Sequence, residues 1–175
     1  MITILTGPVG GGKTTLLKAA IPAFRARGIR VGGYLSERVM EGSTVLGYDL
    51  LDIRTGRRHP FLRVAGRPGE ETVGPFALDP AGLAAAIDMI GSENPSDVFI
   101  LDELGRLELE GRGVWPAARH LLETEKRDIV IVIRAALLEA YQALFRAEGR
   151  PVSVVSLAQC PGPEAFADEV LKIRT

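Results

Sequence analysis

Short apolar runs rich in β-branched residues alternate along the chain with longer stretches of helical periodicity, the pattern of βαβ units wound on a parallel sheet. Ile2 to Thr6 predicts a first strand, and the amphipathic stretch from about Lys13 to Arg27, closed by Gly28, predicts a first helix. A second strand is expected near Ile29 to Leu35. Thr44 to Ile53 and Arg57 to Val64 flank Arg54-Thr55-Gly56 and predict a β-hairpin inserted into the doubly wound pattern. Gly66 to Pro75 reads as a loop rich in Gly and Pro, and Asp79 as the cap of an alanine-rich helix ending near Asn94. Val98 to Leu101 and Ile129 to Ile133 are unbroken apolar runs and Val152 to Leu157 a largely apolar one, read as strands covered on both faces. The pattern predicts one α/β domain over residues 1–175, with the hairpin insertion at about 44–64.

Composition narrows the possible partners. With 21 basic and 22 acidic side chains the net charge is −1, so no overall field draws the chain to nucleic acid or an anionic membrane. The single cysteine, Cys160, cannot pair internally, which fits a reducing compartment. The opening residues have no basic stretch before their apolar run, and no apolar run approaches the length of a membrane span. A cytoplasmic monomer is the expectation. Arg54, Arg57, Arg58, Arg63 and Arg67, with His59, make the hairpin locally basic, a candidate contact for a nucleotide or an RNA; a solvated strand edge is the plainer reading.

The strongest chemical signal is Gly7-Pro8-Val9-Gly10-Gly11-Gly12-Lys13-Thr14, which fits G-x-x-x-x-G-K-[ST] at every defined position, with Thr15 extending it. It follows an apolar strand and opens an amphipathic helix, so amide N–H groups and the helix dipole converge on one spot that favours a phosphate. The glycines let the backbone approach phosphate oxygens without a Cβ clash. Lys13 is expected to reach the β- and γ-phosphates and the Thr14 hydroxyl to hold Mg²⁺.

Phosphoryl transfer also requires an acidic group at the metal and a group that orients or deprotonates the nucleophile. Both are offered by Val98-Phe99-Ile100-Leu101-Asp102-Glu103, where a buried strand carries its carboxyl end to the edge at which open α/β sheets bind ligands. Asp102 is the expected second metal ligand, and Glu103, pointing the other way, the group that polarises water. Arg106, just after this block, and Arg134, at the end of the Ile129 to Ile133 strand, are candidates to stabilise transition-state charge, with Arg106 favoured. Tyr48 is a weak candidate for stacking on a base. Asp102-Glu103-Leu104-Gly105 also fits the D-x-x-G of GTPase switches, but the nearest look-alike of a guanine-reading N-K-x-D, Glu125-Lys126-Arg127-Asp128, precedes its strand and has the wrong first residue.

Three segments together resemble the thermostable and cancer-related nucleoside-triphosphatases: GPVGGGKTT at Gly7 to Thr15, the stretch from Gly32 to Arg58 containing Gly47-Tyr48-Asp49, and LDELGRLEL at Leu101 to Leu109. The last matches the family's D-E-x-G-[KR]-x-E block, with Arg106 at the position usually held by lysine. The resemblance implies a RecA-like sheet ordered 5-1-4-3-2, with the Ile129 to Ile133 strand between the phosphate-loop and Asp102 strands. It also implies Mg²⁺-dependent hydrolysis of nucleoside triphosphates to diphosphates with little base preference. Where the family carries an arginine after its G-[FY]-Y-T stretch, this chain has Met40, with Arg38 nearby. Two rival readings use the same loop: a P-loop kinase acting on a nucleotide or small acceptor, and a nucleotide-gated switch or binding module.

Overall fold

The computed structural model describes residues 1–66, 71–92, 95–124 and 127–172; Arg67, Asn94, Glu125 and Lys126 of the readings above lie outside them. The first strand, β1 (Ile2–Gly7), runs into the glycine loop and α1 (Lys13–Ala26). Then come β2 (Val31–Glu41), β3 (Thr44–Asp52), β4 (Arg58–Val64), β5 (Thr72–Val73) and β6 (Phe76–Leu78). After α2 (Pro80–Gly91), the chain forms β7 (Val98–Leu101), a one-turn α3 (Arg106–Leu109), α4 (Trp115–Thr124), β8 (Asp128–Arg134), α5 (Leu138–Ala147), β9 (Val152–Ser156) and α6 (Pro163–Lys172). Asp79 caps α2 as its sequence predicts, accepting hydrogen bonds from the N–H groups of Ala81 and Gly82. Among the described residues no helix is long and apolar enough to cross a membrane.

The nine strands among the described residues join one sheet, ordered β5-β6-β4-β3-β2-β7-β8-β1-β9. Counting only its parallel strands β1, β2, β7, β8 and β9 as 1 to 5, the order from β9 inward is 5-1-4-3-2, and β8 lies between β1 and β7. The difference from expectation lies at the other end. The hairpin is no separate appendage, because β2 continues past Leu35 to Glu41 and pairs antiparallel with β3 over Tyr34 to Glu41. The parallel sheet therefore grows an antiparallel half through β3, β4, β6 and β5, the last two lying in and after the stretch read as loop.

Period-2 alternation explains the layering. On β8, Ile129, Ile131 and Ile133 enter one core with Phe99 and Leu101 of β7, Ala118 and Leu121 of α4, and Tyr141 and Phe145 of α5. Val130 and Val132 enter the other, with Ile100, Leu17 and Phe24 of α1, and Phe166 of α6. Each such fully buried side chain contributes about 1.5–3 kcal/mol, so helices on both faces pin the central strands and hold their carboxyl ends in place. The strand at β9 is less covered than its apolar sequence implies, with Val154 37% exposed, because β9 is an edge. A third, smaller cluster of Leu62, Leu78 and Leu107 lies under the antiparallel half.

Candidate functional site

The loop from Gly7 to Gly12 joins β1 to α1 through left-handed backbone at Gly10 (φ 72°) and Gly12 (φ 99°), conformations that a β-carbon disfavours. The Gly11 N–H donates to the Pro8 carbonyl at 3.1 Å, and the helix starts with the Leu16 N–H on the Gly12 carbonyl at 2.8 Å. Lys13 is buried and folds over the loop, its Nζ donating to the carbonyls of Pro8 (2.8 Å) and Gly7 (3.2 Å). Burial pulls its pKa below that of an ordinary lysine, against the opposing pull of Glu103 and Asp102.

Asp102 stands at the carboxyl end of β7 with only 2% of its surface exposed. Its Oδ2 accepts the Thr14 hydroxyl at 2.7 Å and the Ser36 N–H at 3.2 Å. Burial pushes its pKa up to about 7, and the nearby Glu103 adds to the rise, while the Thr14 and Ser36 hydrogen bonds and Lys13 oppose it. Thr14 and Asp102, predicted as a pair, are thus in direct contact. Both offer hard oxygen donors, the kind Mg²⁺ selects, and Mg²⁺ takes one or two carboxylates and fills its remaining positions with phosphate oxygens and water. Among the described residues no group of three or more His, Cys, Asp or Glu gathers into a protein-only cage. The donor set fits a cation that arrives with a nucleotide.

Glu103, joined to Asp102 by a cis peptide, forms an ion pair with Arg134, so the two residues assigned separately from sequence form one unit. The loop after them is fixed at both polar atoms of Gly105. Its N–H donates to Glu108 Oε2 at 2.8 Å, and its carbonyl accepts the Tyr141 hydroxyl at 2.7 Å. The other Glu108 oxygen accepts the Val114 N–H at 3.3 Å, and desolvation raises the pKa of this buried carboxyl. Arg106, the first residue of α3, is exposed and has no ion pair among the described residues.

These groups line one cleft of about 500 Å³. The loop residues Val9 to Thr15 line it with Asp102, Glu103, Arg106 and Arg134, whereas Gly7 and Pro8 serve through their carbonyls. Its apolar lining is Phe61, Leu62, Leu78, Leu83 and Leu107, together with Tyr48, whose ring meets Phe76 edge-on at 5.4 Å. Sequence reasoning missed Ser36, Glu108 and Tyr141. Glu108 carried a signal as the last residue of the D-E-x-G-[KR]-x-E block, but Ser36 and Tyr141 reach the site only through tertiary pairing.

A strand, a glycine loop and a helix that present lysine and threonine to an acidic strand end define a P-loop protein of the α/β class. The comparisons refine this. The model of the NTPase family matches residues 2–159, and the chain belongs to that family. It is 32% identical over 130 residues to "Nucleoside-triphosphatase THEP1" of Pyrobaculum aerophilum, covering 74% of this chain and 72% of that one. It is 31% identical over 130 residues to the human "Cancer-related nucleoside-triphosphatase", covering 69% and 68%. The crystal structure of THEP1 from the hyperthermophile Aquifex aeolicus superposes with a TM-score of 0.71 over 99% of this chain and 98% of that one, at 20% identity. That likeness establishes the shared fold.

Proposed function

We propose that this chain is a nucleoside-triphosphatase that hydrolyses nucleoside 5′-triphosphates to diphosphate and phosphate, with Mg²⁺ as cofactor and broad tolerance of the base. The supporting observation is the 2.7 Å contact of Thr14 with Asp102 beside the Glu103–Arg134 pair. Gly7 to Thr15 bind the polyphosphate through backbone N–H groups, and Lys13 moves from the loop carbonyls onto the terminal phosphates. Thr14 and Asp102 would hold Mg²⁺, which when bound neutralises charge across the β- and γ-phosphates. Glu103 accepts a proton from the attacking water, with Arg134 holding its carboxylate in place, and Arg106 faces the developing charge from the cleft wall.

Family membership and the homologues named nucleoside-triphosphatase support water as the acceptor. Base tolerance is what the resemblance to the nucleoside-triphosphatases implies. Arg58 and Arg63 of the basic hairpin are paired with Glu37 and Asp49, which favours a small nucleotide over a nucleic acid as the partner. The chain would work as one domain and a monomer in the cytoplasm. The apolar lining of the cleft favours one second reading, a kinase whose acceptor packs against it. Phosphate release from ATP, GTP, CTP and UTP, with and without Mg²⁺ and with no acceptor added, separates the two. Hydrolysis predicts release from all four only with the metal; a kinase releases almost none.

A further inference from the structure

Arg38 stands two residues before Met40, and its place in the fold gives it a part. It lies on the stretch of β2 beyond Leu35 that leaves the core to pair with β3, opposite Tyr48. That extension carries its guanidinium back over the phosphate loop. A β-carbon built on Gly10 would come 2.9 Å from Arg38 Nη2 and 3.7 Å from Nη1 and Cζ, so the fork rests on the loop just ahead of Lys13. Arg38 is also among the charges that act on the Lys13 ammonium.

The other cations of the cleft are differently placed. Arg134 is held by Glu103, and Lys18 by Glu37, the residue immediately before Arg38; Glu37 also holds Arg58, which lies outside the cleft lining. Arg106 is unpaired among the described residues but stands on the cleft wall at the start of α3. Arg38 has no ion pair among the described residues and is the arginine that packs on the loop itself. An unpaired guanidinium beside a backbone that gathers N–H groups is placed for phosphate oxygens, which its fork can grip in two places.

We propose that Arg38 is a second transition-state arginine of this site, beside Arg106, supplied in cis and resting on the phosphate loop. The inference rests on the hydrolytic reading above. In that reaction the water oxygen bonds to the terminal phosphorus while the bridging P–O bond breaks. The electron pair of that bond leaves on the diphosphate, and the water proton passes to Glu103. Negative charge grows on the bridging and terminal oxygens during this step, and a guanidinium over Gly10 meets it there. Arg38 thereby assists leaving-group departure, while Arg134 keeps Glu103 aligned on the opposite side.

The test compares Arg38→Ala and Arg38→Lys with wild type, using Arg57→Ala on the exposed hairpin turn as a charge-loss control. Three quantities are measured: kcat for phosphate release, affinity for a non-hydrolysable triphosphate, and affinity for diphosphate with magnesium and aluminium fluoride, which imitates the transferring phosphoryl group. Arginine fingers contribute about 10³-fold or more to kcat, so Arg38→Ala should lose at least ~10²-fold in turnover and most of its fluoride-complex affinity. Its triphosphate affinity should change less than about tenfold, and Arg57→Ala should match wild type. Arg38→Lys, which keeps the charge without the fork, decides the matter if the alanine variant fails to fold: triphosphate binding with lost turnover supports the assignment. Turnover within about threefold of wild type in either variant overturns it, as does equal loss of triphosphate and fluoride-complex affinity, which marks ground-state binding alone. Wild-type protein that captures the fluoride complex yet releases no phosphate would refute hydrolysis and leave the Arg38 comparison of affinities intact.

Discussion

The Thr14 hydroxyl and the Asp102 carboxylate, 88 residues apart in sequence, meet at 2.7 Å where α1 begins and β7 ends. This contact joins the phosphate loop to the acidic strand end and sets the two oxygen donors side by side. Asp102→Asn keeps an acceptor oxygen for Thr14 and Ser36 but removes the charge. The variant should fold with a near-normal melting temperature. Its Mg²⁺-dependent phosphate release should fall about 10²-fold or more, because the lost metal contact is worth several kcal/mol in the transition state. Binding of a fluorescent triphosphate analogue without Mg²⁺ should change little, and the same titration with Mg²⁺ should lose its metal enhancement.

Glu103 and Arg134 function as a pair in this account. Glu103→Gln should bind triphosphate normally and turn over about 10²-fold more slowly, the usual worth of a positioned general base. Arg134→Ala should lower kcat about tenfold or more with KM changed far less, since a displaced base weakens the chemical step rather than ground-state binding. Steady-state kinetics on both variants and their combination check this. The double variant should be little worse than Glu103→Gln alone, because groups acting as a unit are not additive.

Gly113 has φ 60°, and a β-carbon there would stand 2.3 Å from Glu108 Oε1, the oxygen that accepts the Val114 N–H. Gly113→Ala therefore combines left-handed strain, about 1–2 kcal/mol, with displacement of the carboxylate that fixes Gly105. We expect a loss of about 2 kcal/mol or more in denaturant unfolding, with turnover reduced under conditions where the variant is fully folded.

Tyr141 is fully buried, and its hydroxyl donates the shorter of two hydrogen bonds to the Gly105 carbonyl. Tyr141→Phe leaves that carbonyl with only the 3.4 Å hydrogen bond from the Leu109 N–H and should destabilise the fold by about 1 kcal/mol. Chemical denaturation, with the slope m compared to confirm an unchanged transition, measures it.

What could be read in advance follows how local each feature is. The phosphate loop, the Asp79 cap and the carboxyl end of β7 are specified by neighbours in the chain; Asp79 caps α2, and Thr14 and Asp102 stand in contact. The central parallel strands were legible because burial on both faces leaves apolar runs. The outer half of β2 was not, since Ser36, Glu37 and Arg38 carry no apolar alternation and are held by pairing with β3. Strands β5 and β6 are too short to show a period among their glycines and prolines. The sites of Ser36 and Arg38 follow from that same pairing, and the Glu103–Arg134 unit from adjacent strand ends. Such contacts leave no spacing to recognise.

The most direct measurement of the central claim is a crystal structure with a non-hydrolysable triphosphate and Mg²⁺. The account predicts the polyphosphate along Gly7 to Thr15, the metal on Thr14 and Asp102, and the terminal phosphorus facing Glu103 through one water. A terminal phosphate pointing away from Glu103, or a metal bound without Asp102, would contradict it.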